Sequence, residues 1–193
     1  NLGLALKAQN KRDEAFDAFY KAAWDGNMQD KAFYQLACIE SGYGKYSEAL
    51  VFVEKSLVKG MHNMKARALK TALLRLMGKT AEAAEFAKQS GVIDSLDHAS
   101  LYELYLLTGD ETFRAVMRND NHTYIELALT YMNAYLYNEA AKVLDLAPDK
   151  NEPMAHYYLY YCTDDSKYLS AAENGHSLYC FPNRLEDIAV LEK

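Results

Sequence analysis

The sequence predicts an all-α chain, a right-handed α-α superhelix (solenoid) of stacked helical hairpins, and three observations carry that prediction. The hexad Asn10-Lys11-Arg12-Asp13-Glu14-Ala15 returns as Gly44-Lys45-Tyr46-Ser47-Glu48-Ala49 and again as Gly78-Lys79-Thr80-Ala81-Glu82-Ala83, 34 positions on each time. A fixed period of that length marks an array in which each unit buries its apolar face against the next. Each hexad opens on Asn or Gly, the residues best suited to close a helix in the left-handed conformation. It then places Glu14, Glu48 or Glu82 in the first turn of the next helix, where the helix dipole favours a carboxylate, and follows it with Ala15, Ala49 or Ala83, small enough for a close helix crossing.

The hairpins follow in order. Residues 1–29 hold Leu2-Gly3 and Leu6 on a first helix and Ala15, Phe19 and Ala22 on a second. Residues 30–63 repeat the pattern with Phe33, Leu36-Ala37 and Ala49. Residues 64–94 keep Leu74, Gly78 and Ala83, but Lys70-Thr71 stand where Leu-Gly is expected; either the helix packs differently or the Lys70 stem lies along apolar surface. Residues 95–120 form a contracted unit, Leu101 to Gly109 and Glu111 to Met117, of the kind that bends a superhelix. Residues 121–152 carry Tyr124, Leu127-Ala128, Tyr131, Glu139-Ala140, Leu144 and Ala147 before Pro148. Residues 153–182 run from Pro153 to Cys162 and from Asp165 to Asn174, with Asp164-Asp165 read as the cap of the second helix and Gly175 as its stop. A truncated helix, 183–193, begins at about Asn183. Asn1 falls inside a helical pattern without an opening turn and Lys193 follows no stop signal, so the expectation is one array, 1–193, that is a fragment of a longer chain.

These positions resemble the tetratricopeptide repeat family. The resemblance implies a concave face lined by a few positions of each first helix: Tyr34 and Cys38, then Lys65, Ala68, Ala72 and Arg75, then His122, Ile125 and Leu129, then Tyr157 and Tyr161. Among these, Tyr34, Lys65, Arg75, His122, Tyr157 and Tyr161 are the candidate binding residues. Tyr157 and Tyr161 lie four apart and share a helical face, a platform for a peptide or a sugar ring. A chaperone-type carboxylate clamp is not expected, because its positions fall on Leu4, Gln35, Lys65 and Leu69 and only one is basic. The implied function is a non-catalytic scaffold for a protein, a peptide or another domain of its own chain.

A wider resemblance rests on Ala18-Phe19-Tyr20-Lys21-Ala22-Ala23-Trp24, on the Lys65–Gly78 stretch and on Phe181-Pro182-Asn183-Arg184-Leu185-Glu186. These segments look like bacterial proteins of carbohydrate use, in which such repeats follow a β-rich domain similar to galactose mutarotase. That resemblance implies a helical accessory region of a carbohydrate-binding or carbohydrate-processing protein. It also implies a possible glycan contact through a region outside this chain.

Composition narrows the function classes. A net charge of -6 argues against general nucleic-acid binding, which needs an excess of Lys and Arg over acids. From Lys55 to Ala81 the balance is local and opposite: Lys55, Lys59, Lys65, Arg67, Lys70, Arg75 and Lys79 occur without one acid. Such a run steers an acidic partner unless acids of neighbouring repeats, such as Glu40 or Glu103, neutralise it. Cys38, Cys162 and Cys180 are odd in number and lack CxxC spacing, which reads as free thiols rather than a disulfide framework or a zinc site. No HExxH, glycine-rich phosphate loop, GxSxG or Cys-His spacing occurs, and the five histidines are scattered through different repeats. The sequence therefore supplies no catalytic residue, metal site or cofactor, and no apolar run long enough for a membrane span. It leaves open the cytoplasm or periplasm of a bacterium as the compartment.

Overall fold

A computed structural model describes residues 1–176, 182 and 184–193. Cys180, Phe181 and Asn183, which sequence reading places at the end of the sixth hairpin and the start of the last helix, lie outside the described residues. The helices are α1 Leu2–Ala8, α2 Arg12–Ala22, α3 Gln29–Gly42, α4 Tyr46–Lys59, α5 Met64–Leu76, α6 Thr80–Ile93, α7 His98–Thr108, α8 Thr112–Met117, α9 Asn121–Asn133, α10 Tyr137–Leu144, α11 Pro153–Thr163, α12 Ser166–Glu173 and α13 Leu185–Leu191. No strand occurs among the described residues. The chain is all-α, and its helices pack as consecutive hairpins of the tetratricopeptide type.

The described residues form two compact units, Asn1–Val116 and Met117–Lys193. In the first, α1 packs on α2, α3 on α4 and α5 on α6, while α2 meets α3, α4 meets α5 and α5 and α6 both meet α7. The rings of Tyr102 and Tyr105 close on Phe113 at 5.5 and 4.6 Å and so tie α7 to the short α8. In the second unit α9 packs on α10 and α11 on α12; α10 and α9 both touch α11, and α11 also touches α13.

The helix stops have the geometry their residues predict. Asn10, Gly44, Gly78 and Gly109 take φ of 58°, 72°, 77° and 78°. At Gly44 the chain turns back so that Lys45 N–H donates to the Glu40 carbonyl at 3.0 Å, and Lys79 N–H does the same to Leu74 at 2.9 Å. This motif satisfies carbonyls that the helix end leaves open. Ala15, Ala49, Ala83 and Ala140 are fully buried at the crossings. Gly3 is required for a related reason, since a Cβ there would meet the Phe19 ring at 2.7 Å. Leu36, Ile39, Leu73 and Leu74 fill the first core and Tyr124, Leu127, Leu144 and Tyr158 the second. Each such side chain contributes about 1.5–3 kcal/mol of transfer free energy.

Three local expectations are corrected or resolved. Asp164 does not cap α12: it stops α11 with φ of 59°, and Asp165 alone caps α12 by accepting the Lys167 N–H at 3.0 Å. Gly175 is not a left-handed stop; it is needed because a Cβ there would lie 2.6 Å from the Asn151 carbonyl oxygen. Lys70 takes the second of its two options, its largely covered stem ending in a Glu54 ion pair at 3.2 Å, while buried Thr71 returns its hydroxyl to the Arg67 carbonyl.

Candidate functional site

Of the six candidate residues, Tyr34 and Lys65 meet at one groove in the first unit, of about 860 Å³. Leu4 of α1, Tyr34 and Gln35 of α3 and Lys65 of α5 line it, so three successive first helices contribute, joined by Phe19 and the loops after α2 and α4. The loop after α4 is fixed locally. Asn63 caps α5 by accepting the Ala66 N–H at 3.1 Å, and Ser56 Oγ donates to the Asp30 carbonyl at 2.6 Å. Gly60 lies so close to Asp30 that a Cβ would approach the Asp30 side chain to 3.1 Å. These contacts hold Lys59, Met61 and His62 as one wall.

The groove pairs an apolar lining with a cationic rim. Leu4, Phe19, Met28 and Met61 supply apolar surface, and Lys31, Lys59 and Lys65 are exposed around it. None of these three lysines makes an ion pair among the described residues; Asp30 is the one carboxylate in the lining. Beneath the surface Lys7 donates to Gln35 Oε1 at 3.0 Å, and its burial lowers its pKa from the ordinary value of 10.5. Tyr34 backs the groove rather than projecting into it. It is 7% exposed, and burial pushes its pKa well above 10.0. Burial likewise raises the Cys38 thiol above its ordinary range, which makes it a poor nucleophile. Trp24, which lies between Phe19 and Met28 in sequence, is 77% exposed.

Arg75 lies elsewhere and is engaged. Its Nε and Nη2 donate to the two carboxylate oxygens of Glu103 at 2.7 and 3.1 Å, and Glu103 is fully buried. The acid-free run from Lys55 to Ala81 thus divides into two sets. Arg75 and Lys70 are neutralised by Glu103 and Glu54, and Arg67 is buried with its guanidinium 4.4 Å over the Phe86 ring. Lys55 lies over Phe33 and Phe52, whereas Lys59 and Lys65 face the groove. Glu40 pairs instead with Lys45 at 3.5 Å. Cys38, Ala68 and Ala72, placed on the inner face by their register, are buried by the neighbouring first helices.

In the second unit His122 is exposed on α9 and its Nε2 lies 2.7 Å from Nη2 of Arg184, which also donates to Glu126 at 3.0 Å. Tyr157 and Tyr161 are half-buried on α11 but do not stack on each other. Tyr161 meets Tyr137 edge-on at 6.1 Å, and Lys193 Nζ lies 5.5 Å above its ring while pairing with Asp164 at 2.9 Å. The helix α13 reaches this face because Tyr158 donates to Asp187 Oδ1 at 2.6 Å and Asp187 Oδ2 accepts the Arg184 N–H at 2.9 Å. Both Tyr158 and Asp187 are buried. Sequence reasoning named Lys59 only as part of the basic run and missed Lys31, Met61 and His62 as groove residues. The signal was present, since Met28 and His62 stand 34 apart, as do Lys31 and Lys65, but those positions fall on loops and first turns that the repeat pattern does not weight. No cluster of His, Cys, Asp and Glu suited to a metal ion occurs among the described residues, and no described helix is long and apolar enough to cross a membrane.

No protein-family model matches the chain, and no curated protein matches it. Solved structures do. A crystal structure of MamA protein is 12% identical over 94% of this chain and 93% of its own, with a TM-score of 0.54. MamA 41-end from Desulfovibrio magneticus RS-1 is 17% identical over 90% of this chain and 87% of its own, with a TM-score of 0.45. At these identities the first likeness speaks for the fold alone: this chain shares the helical-repeat architecture of MamA, a tetratricopeptide-type protein.

Proposed function

We propose that the chain is a non-catalytic tetratricopeptide-type scaffold that binds a protein or peptide, or another domain of its own chain, through its concave face. One observation carries this reading: the groove of the first unit, where side chains of three successive first helices converge on an accessible apolar floor. Apolar surface that stays in water at the centre of a polar rim is the usual mark of a protein-binding site. The carbohydrate-linked reading has no such support. Its sugar platform, Tyr157 with Tyr161, shares the Tyr161 face with Tyr137 and Lys193, and no family model or curated protein matches the chain.

Display of a random peptide library tests the proposal. The intact chain is expected to enrich sequences that a Met61→Ala, Gln35→Ala variant of equal helicity fails to retain. Enrichment of the same sequences by both proteins, or of none by either, overturns the groove as a binding face.

A further inference from the structure

We infer that the groove of the first unit takes an acidic peptide segment, its carboxylates paired with Lys31, Lys59 and Lys65 and an apolar side chain seated between Met28 and Met61. The inference rests on the scaffold reading and names the chemistry of the partner. Charge complementarity is its first support. Three lysines without ion-pair partners among the described residues face one carboxylate, Asp30, on a chain whose net charge is -6. Two other cations of the acid-free run, Lys70 and Arg75, are by contrast paired, with Glu54 and Glu103.

The positions of the lysines give the second support. Lys65 occupies the first turn of α5, which contains no acid, and Lys31 occupies the first turn of α3. A cation in a first turn opposes the helix dipole; at Lys65 no acid of the turn offsets it, whereas at Lys31 the adjacent Asp30 does so in part. Lys59, in the last turn of α4, brings a third ammonium to the same opening. Half-buried Lys7, bonded to the Gln35 side chain that lines the groove, adds positive potential from below. The third support is the lining. Leu4, Phe19, Met28 and Met61 give nothing to a bare phosphate but accommodate an aliphatic side chain, and thioether side chains adapt to varied shapes. A long polyanion is disfavoured by the acidity of the whole chain, whereas a short acidic segment meets only the local field.

The test is fluorescence anisotropy with three labelled synthetic peptides of one length and one set of leucines: one bearing Glu and Asp, one Gln and Asn, one Lys and Arg. The acidic peptide is expected to bind about tenfold or more tighter than the neutral one, with the gap closing as salt rises. In a Lys31→Gln, Lys59→Gln, Lys65→Gln variant of unchanged circular dichroism, that preference is expected to vanish. Equal binding of the acidic and neutral peptides overturns the inference and leaves the scaffold standing. Full displacement by inorganic phosphate marks a simple anion site and overturns the peptide assignment. Should no peptide bind here while library display still enriches groove-dependent sequences, the inference alone fails; should display fail too, both fail.

Discussion

At Arg75 a guanidinium meets a carboxylate that water does not reach, and that contact changes what the residue is for. Removing the cation strands Glu103 as an uncompensated buried charge, so Arg75→Ala is expected to cost about 3 kcal/mol. Lys65→Ala removes an exposed groove cation and is expected to stay within about 0.5 kcal/mol. Urea unfolding of both variants checks the contrast; equal effects would mean that Glu103 is hydrated. The run of basic residues was plain in the sequence, and Glu103 was visible as a possible neutraliser, but which cation it takes depends on the packing of α5 against α7, and no local pattern encodes that. Tyr34 makes the same point from the other side. Its place in the repeat marks it as a groove residue, yet it is buried and leaves its chain neighbour Gln35 the more accessible of the two.

The helical hairpin is the scale at which sequence and structure agree most closely. Its determinants are local: a left-handed stop, a carboxylate in the next first turn, an alanine at the crossing. Ala49→Leu is expected to overpack the α3–α4 crossing and cost about 1–3 kcal/mol, while Glu48→Ala, on the exposed first turn, should cost a few tenths. Comparable urea midpoints for the two variants would refute the close crossing. The stops at Asn10, Gly44 and Gly78 were legible because the residue type announces the conformation. Tyr135 and Asp164 take the same left-handed conformation, φ of 58° and 59°, without announcing it. There the geometry is imposed by backbone hydrogen bonds, as where Leu136 N–H donates to the Tyr131 carbonyl at 3.0 Å. Gly175 errs in the opposite sense, a glycine kept for lack of a side chain rather than for its φ. At the tyrosine platform, spacing of four places Tyr157 and Tyr161 on one face, but it does not encode the contacts that Tyr137 of α10 and Lys193 beyond α13 make with Tyr161.

Across the whole molecule the buried titratable groups set a common response to alkali. Burial raises the Cys162 thiol from 9.0 to about 12 and raises Cys38 as well. Both therefore bind protons in the folded chain that they lose when unfolded, so their contribution is complete below about pH 9 and is lost as pH rises towards 12. Tyr34 and Tyr158 act in the same direction at higher pH, whereas Lys7, whose pKa is lowered, opposes them by favouring the folded chain as its ammonium deprotonates. The expected net result is a urea midpoint that falls above pH 9, by at most about 1.4 kcal/mol per pH unit for each group, and falls less in a Cys38→Ala, Cys162→Ala variant. A flat midpoint in the intact chain would show that the thiols are not desolvated. Cysteine count and spacing in the sequence argued against a disulfide framework but said nothing of this burial, which the assembled helices create. The exposed indole of Trp24 has a different use. It is the only tryptophan in the chain and lies, in sequence, between two groove residues, Phe19 and Met28, on the loop that follows α2. Its emission already reports bulk water in the folded protein, so it changes little on unfolding, and a blue shift on adding a peptide reads out occupancy of the groove without any attached label.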